Sequence, residues 1–539
     1  MDDGNYCHFN LKDTVESIIH AYEENSLSQD CVKLMLSVDG APLAKSSVRG
    51  LWIISISEPL LDIVKPVGIY HGPNKPKDSS VLMKSTVEEL VKLINEGLVV
   101  ENKKYEVILD ALVCDAPARA YILKVKQHTG YWSCHRCSIK GENINHRQCF
   151  PFGASKPRTH EGFVKNLYVD DNLNDGHQQI HKLGETNMKS IPKFDCVNDV
   201  VIDYMLLVCL GVMLKLIILW TITFPILSAS DKAKISRRLK KVKMFTPSDF
   251  ARKLRSFENA KRIWKAHELR QFLLYVGPVI LFGILPKKYY DHFLKLHVAI
   301  LILVDPNLSE NEFYLDKSEA LLIEFVKEFE SLYTRNYLTY NVHNLLHIVD
   351  DVRRFGRLDL VSAFRFENLI GKLKKVVKSG NRPLEQIANR LAERKKFEAI
   401  PKYINTEIML QKIHENGALI SNDVNISQYS LLSRGLLKLN VLDGIKNNCI
   451  LLNDGNYVEC FNFILNSTTN MMFIVGRPFK ILSALYKKPI DSKNLNIVVA
   501  KKTNKPLELY SCELIAMKVC MIPILEYFVL SPMGHTAVG

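Results

Sequence analysis

Residues 105–119 read YEVILDALVCDAPAR: an apolar run rich in β-branched residues, then an acid, then small residues and a proline. The run predicts a strand over 105–114 that delivers Asp115 at its end. The segment from Pro117 to about Gln127 reads as a helix, with Asp115 placed where a helix N-cap belongs. Upstream, 32–39 (VKLMLSVD) predicts a strand that ends in Asp39-Gly40. Residues 51–57 (LWIISIS) and 66–71 (PVGIYH) predict two more strands. Residues 85–97 (STVEELVKLINEG) predict a helix with Ser85 as N-cap, Glu88 closing a capping box and Gly97 as the stop. The first 130 residues thus run strand, strand, strand, helix, strand, helix. Two of the strands carry an aspartate at or near their C-terminal ends.

Beyond residue 138 the texture changes. Residues 138–190 are polar and weakly periodic, and 200–340 read as mostly helical. Within that region, 206–227 (LLVCLGVMLKLIILWTITFPIL) is long enough to span a bilayer. Lys215 near its centre would be costly in lipid, so a buried helix is expected and no membrane partner. A basic stretch follows at 232–243 (KAKISRRLKKVK), which includes Lys240, Lys241 and Lys243. Residues 385–398 predict a charged helix. After about 400, short apolar runs separated by Asn, Asp, Gly and Lys predict a strand-rich domain.

The chain has 539 residues, enough for two or three domains. Lys plus Arg number 71 against 57 Asp plus Glu, a formal net charge of +14, which favours polyanionic partners. Among 12 cysteines there is one close pair, Cys134 and Cys137, so a disulfide framework is excluded. The polar, acidic start MDDGNYCHFN is not a signal peptide. In a reducing compartment paired cysteines suggest metal before disulfide.

Three acids and four soft ligands carry the candidate chemistry. Asp39 and Asp115 follow apolar strands and precede small residues that would let a nucleic-acid backbone approach. Carboxylates from separate elements can hold two Mg²⁺ (or Mn²⁺) ions for phosphoryl chemistry. Either aspartate taken alone reads more simply as a turn residue or N-cap. Glu367 precedes a lysine-rich stretch with Lys372, Lys374, Lys375 and Lys378, which taken alone reads as a solvated basic face. Cys134 and Cys137 form C-x-x-C, and His343 and His347 form H-x-x-x-H with both imidazoles on one helix face. Two thiolates and two imidazoles suit a tetrahedral structural Zn²⁺, although a lone histidine pair is more often ordinary helix surface. The two halves lie 343 − 137 = 206 residues apart.

The order of strands and acids resembles a ribonuclease H-like core. The segments VDGAPLAKSS (38–47), PVGIYHGPNKP (66–76), VCDAPARAYI (113–122), GYWSCHRCS (130–138), DYMLLVCLGVM (203–213), HELRQFLLYVGP (267–278), YNVHNLLHIVDDVRRFG (340–356) and FENLIGKLKKVVKSGNRP (366–383) together resemble DDE transposases. The nearest group is the CACTA (En/Spm)-like set of the CACTA–Mirage–Chapaev superfamily. The layout is also similar to Transib transposases and the V(D)J recombinase core. The gaps are 134 − 115 = 19 from Asp115 to the CxxC and 367 − 347 = 20 from the last histidine to Glu367.

The resemblance implies an α/β fold: a ribonuclease H-like catalytic core interrupted by a large α-helical insertion, then a small strand-rich C-terminal domain. The expected limits are 1–30 for an N-terminal remnant, 31–150 for the first part of the core, 151–340 for the insertion, 341–398 for the completing helices and 399–539 for the last domain. Asp39, Asp115 and Glu367 are implied as the catalytic triad, and Cys134, Cys137, His343 and His347 as zinc ligands. Lys240, Lys241, Lys243, Lys372, Lys374, Lys375 and Lys378 are expected to contact phosphates. Arg119 and His71 are candidates for lining the site. The implied partner is double-stranded DNA, both transposon ends and target, bound by a nuclear homodimer. Two departures stand out. Leu206 occupies the histidine position of the superfamily's Asp-x-x-His motif, and the chain begins 39 − 1 = 38 residues before Asp39, so an end-binding module is expected to be missing. The alternative reading is therefore a catalytically inactive relic that serves as a DNA-binding or scaffold protein.

Overall fold

The computed structural model describes residues 4–43, 49–168, 181–395, 407–420 and 425–536. The tail of the VDGAPLAKSS segment and the end of the helix expected at 385–398 therefore lie outside the described residues. The chain is mixed α/β and divides into two units. The first joins Met1–Val208 to Phe329–Tyr403, and the second joins Cys209–Glu328 to Ile404–Gly539.

The first unit is built on one sheet. Its strands are β1 (Asn5–His8), β2 (Cys31–Pro42), β3 (Gly50–Glu58), β4 (Ile63–Gly72), β5 (Leu98–Val100) and β6 (Lys103–Cys114). A separate small hairpin, β7 (Glu142–Ile144) and β8 (Arg147–Cys149), comes next, and β9 (Val200–Ile202) then returns to the sheet. The spatial order is β1-β4-β3-β2-β6, with β5 and β9 both on the far side of β6. Neighbours from β1 to β2 are antiparallel, whereas β2 with β6 and β6 with β9 are parallel. Near or just after the ends of the three parallel strands stand Asp39, Asp115 and Asp203.

Both faces of the sheet are covered, which explains the near-continuous apolar runs of β2, β3 and β6. Helices α1 (Leu11–Glu24), α2 (Ser79–Glu96) and α3 (Ala116–Ile122) pack on one face, over residues such as Leu34, Leu36, Ile54 and Val67. On the other face, Ala41, Leu51, Ile53 and Ile69 pack against Leu369, Ile370 and Leu373 of the helix Phe364–Val376 and Ile387 of the helix Pro383–Lys395. Residue alternation along β2 places Asp39 and Ala41 on this second face and Gly40 on the first.

Some element limits differ from the sequence pattern. Helix α2 starts at Ser79 because the Asp78 carboxylate accepts from the Ser80 N–H at 2.8 Å, which leaves Ser85 inside the helix. Helix α3 stops at Ile122, two residues before Lys124 adopts φ +50°, well short of Gln127. Residues 5–24, expected as a remnant, form an edge strand and a buried-faced helix.

The second unit carries helices such as Ala229–Val242 and Lys287–Val304, and an eleven-stranded sheet built from strands between Met409 and Pro532. The apolar segment is helical over Met205–Thr223 and is, by length and composition, the one helix among the described residues able to cross a membrane. Within it Val208, Val212, Leu216 and Trp220 are fully buried.

Candidate functional site

Asp39 belongs to β2 and lies opposite Ile53 of β3. Its carboxyl is pushed up to about 7, first by burial and then by the negative charges of Glu367 and Asp115, against the opposing pull of the Gly40 N–H and the Lys374 ammonium. Two of the acids singled out in the sequence, Glu367 and Asp115, therefore bear electrostatically on the third, Asp39. Such crowding of like charge in a partly dry site is what a bound cation relieves.

Asp115 is the N-cap of α3, its carboxylate accepting from the Ala118 N–H at 2.6 Å. The N-cap reading and the chemical reading thus fall on the same side chain. Glu367 lies in the first turn of the helix Phe364–Val376 and is exposed. Lys374, seven residues further along that helix, is the lysine that bears on Asp39, and Lys372, Lys375 and Lys378 are exposed. Lys240, Lys241 and Lys243 are exposed at the end of the helix Ala229–Val242, in the second unit.

Asp203, not among the acids expected at the site, is the residue that sequence reasoning missed. It directly follows β9 and is buried, and its two oxygens accept from the Ala363 N–H at 2.8 Å and the Leu206 N–H at 2.7 Å. One carboxylate thereby closes the starts of two helices, one of them the helix that carries Glu367. Burial, opposed by these backbone bonds, pushes its carboxyl up to about 6, and Glu367 adds to the rise. The signal was present as the first residue of the DYML motif. Leu206, in the motif's histidine position, supplies its backbone N–H and no polar side chain.

His71 and Arg119, expected to line the site, are both buried. The Arg119 guanidinium donates to the Tyr340 hydroxyl and lies 5.7 Å from that ring. It is thereby committed to the helix Tyr340–Asn344, which carries His343. Burial, with Arg49 nearby, lowers the His71 imidazole.

The second cluster brings Cys134, Cys137, His343 and His347 together, with one ligand atom from each within 4.8 Å of the others. The sulfurs are 3.5 Å apart and the two Nε2 atoms 3.4 Å apart. Cys137 Sγ lies 3.3 Å from His343 Nε2, and Cys134 Sγ lies 3.6 Å from His347 Nε2. A tetrahedral zinc-sized ion would set these edges at about 3.8 Å for S–S, about 3.3 Å for N–N and about 3.5 Å for S–N. The donor set and its spacing fit such an ion. The histidines span a junction: the α-helix Tyr340–Asn344 tightens into a 3₁₀ turn over Leu345–His347. Burial alone would raise the Cys134 thiol, but bonds from Cys137 and the backbone N–H groups of Arg136 and Cys137, with Arg158 nearby, lower it to about 7.

Two arginines fix this knuckle. Arg158 donates to the Cys134 carbonyl at 3.0 Å and to the Trp132 carbonyl at 3.3 Å. Arg136, between the cysteines, donates to the Val200 carbonyl at 2.9 Å and pairs with Asp351, whose other oxygen accepts from the Ile202 N–H at 2.7 Å. The knuckle, the helix after His347 and β9 are thereby joined, and β9 leads directly to Asp203.

A family described as "Domain of unknown function (DUF8592)" matches residues 413–533, within the strand-rich part of the second unit. No curated protein matches the chain.

Proposed function

We propose that this chain is a transposon-derived DDE transposase that cleaves DNA and transfers the freed strand to a target. The observation that carries the reading is the rise of the Asp39 carboxyl under the charges of Glu367 and Asp115, three acids from separate elements of the first unit. The core is proposed to be ribonuclease H-like, supported by the antiparallel run β4-β3-β2 continued by β6 and β9 parallel to β2, with Asp39, Asp115 and Asp203 near or just after the ends of those three parallel strands. Asp39, Asp115 and Glu367 would be the residues that hold two Mg²⁺ (or Mn²⁺) ions. Bound there, the ions would lower the pKa of an attacking water or 3′-hydroxyl and offset charge on the leaving oxygen. Asp39, holding a proton near neutrality, would release it on metal binding. Lys372, Lys375 and Lys378 would bind phosphates, and Asp203 would orient the Glu367 helix. Cys134, Cys137, His343 and His347 would hold a structural zinc ion. Double-stranded DNA as partner, a homodimer and a nuclear location are proposed on the resemblance alone.

The test compares Asp39→Asn, Asp115→Asn and Glu367→Gln with the parent on a plasmid in Mg²⁺. Cleavage should be lost in all three while DNA binding persists, and variants that cut like the parent would overturn the reading. Leu206 in a histidine position favours a second reading, a DNA-binding relic without nuclease activity. A parent that binds DNA and never cuts it in Mg²⁺ or Mn²⁺ supports that one.

A further inference from the structure

The knuckle and the start of α3 share one buried core. Ala116, the residue after Asp115, packs against the cluster of Cys134, Cys137, Phe150 and Tyr340. Tyr340 begins the helix Tyr340–Asn344 and His343 follows three residues later, so both side chains leave one face of that helix. Phe150 packs on both of them. It stacks on the His343 ring at 5.6 Å and meets the Tyr340 ring edge-on at 5.9 Å, centroid to centroid. His128 also meets Tyr340 edge-on, at 6.1 Å. The phenol ring is therefore held by its neighbours, and its hydroxyl is presented at a fixed point.

Arg119 takes up that point. Its guanidinium donates to the Tyr340 hydroxyl, and its backbone N–H donates to the Asp115 carbonyl at 2.9 Å in the first turn of α3. Both side chains are buried, Arg119 at 6% exposure and Tyr340 at 5%. Among the described residues Arg119 makes no ion pair, and a buried guanidinium is costly unless its donors are bonded. The phenol is thus what holds this side chain against the knuckle. Burial and Arg119 lower the His128 imidazole while Asp115 works against them, so a single ring feels both ends of that first turn.

An imidazole that ligates an ion loses rotational freedom, and in a close-packed interior that restriction passes to the groups packed on it. Here His343 packs on Phe150, Phe150 packs on Tyr340, and Tyr340 holds Arg119. Asp115 caps the turn to which Arg119 belongs.

We propose that Tyr340 and Arg119 are positioning residues, a strut through which occupancy of the knuckle orders the first turn of α3 and with it the Asp115 carboxylate. The inference rests on the zinc reading of the knuckle and, for its consequence, on the proposed site at Asp39, Asp115 and Glu367, but its first measurement needs neither Mg²⁺ nor cleavage.

The experiment uses the full chain, stripped with a zinc-selective chelator and then reloaded with zinc. Amide exchange is followed in the peptide that covers Ala116–Ile122. In the parent, reloading should slow that exchange about tenfold. Tyr340→Phe keeps the ring, so its zinc content should stay parental while the slowing is lost. Arg119→Met should behave in the same way. The double variant should be no worse than either single one, because both changes break one contact. Mg²⁺ is then titrated by calorimetry, and the loaded parent should bind it about tenfold more tightly than either variant. Saturating Mg²⁺ should also tighten the parent's hold on zinc by the factor by which zinc tightens Mg²⁺. Reloading that leaves exchange unchanged in the parent would overturn the proposal, as would slowing that persists in both variants or losses that add in the double one. Loss of zinc from Tyr340→Phe would make the phenol a part of the knuckle itself and equally overturn the strut. If exchange behaves as expected and no form binds Mg²⁺, the acid-site reading fails and the strut stands.

Discussion

The Asp203 carboxylate accepts from the Ala363 N–H at 2.8 Å, and so ties the end of β9 to the start of the helix that carries Glu367. A metal ligand in the first turn of a helix is only as well placed as the helix start. Replacing Asp203 by Asn turns one acceptor into a donor that faces a backbone N–H. This should cost about 1–3 kcal/mol in urea unfolding, since a buried polar group loses its partner. Catalysis should fall further than stability predicts, with Mg²⁺ affinity weakened. Asp203→Asn with parental Mg²⁺ affinity would reduce Asp203 to a purely structural residue.

Asp115 both caps α3 and is assigned to chemistry, and the two roles separate by substitution. Asp115→Ala removes the oxygen that accepts from Ala118 and should cost about 1 kcal/mol. Asp115→Asn keeps a capping oxygen and should unfold like the parent. Both should abolish Mg²⁺-dependent cleavage. Retained cleavage in Asp115→Asn would leave only the cap.

The Asp39 carboxyl, pushed up from 3.8 to about 7 chiefly by burial, favours its protonated form in the fold. Its contribution to stability is therefore complete below pH about 4 and is lost as pH rises through about 7. Without metal, the protein should lose stability between pH 5 and pH 8, and Asp39→Asn should flatten that slope. Mg²⁺ should stabilise the parent more at pH 8 than at pH 6, because it replaces the proton. Parallel pH profiles for parent and variant would argue against the raised carboxyl.

Elemental analysis of the purified protein should find about one zinc per chain, lost in Cys137→Ser and in His343→Ala. Removing the ion with a chelator should lower the melting temperature even in the absence of DNA. Full metal occupancy in both variants would place the ion elsewhere.

The Arg136–Asp351 pair is buried, with side chains 8% and 1% exposed. Asp351→Ala leaves a buried guanidinium uncompensated and should cost about 3–5 kcal/mol. A double change to Met and Leu should recover part of that loss, read from denaturant midpoints.

Much of the first unit was legible in the sequence. The runs at 32–39, 51–57, 66–71 and 105–114 are strands because each is apolar and bounded by turn residues. The cysteine and histidine spacings marked four ligands 206 residues apart, for the gap 343 − 137, and these converge. What stayed hidden depended on distant partners. The three residues of β9 are too few to reveal themselves and become a strand only by pairing with Leu112–Cys114. Asp203 looked like a motif letter because the amides it binds come partly from Ala363, 160 positions away. The limits of α2 shifted because Asp78 and Ser85 are both competent caps, and packing of Leu82 and Met83 into the core selects the earlier one.

The knuckle also dictates when the protein can finish folding as it is made. Strands β1 to β6 are complete once residue 114 has been synthesised, yet His343, His347 and Asp351 emerge more than 200 residues later. At the usual 5–20 residues per second, the nascent sheet waits roughly 10–50 s with the face meant for Leu369 and Ile370 uncovered. A chain interrupted between residues 137 and 343 therefore ends as an open sheet with Cys134 and Cys137 lacking both histidine partners, a natural target for holding chaperones and for degradation.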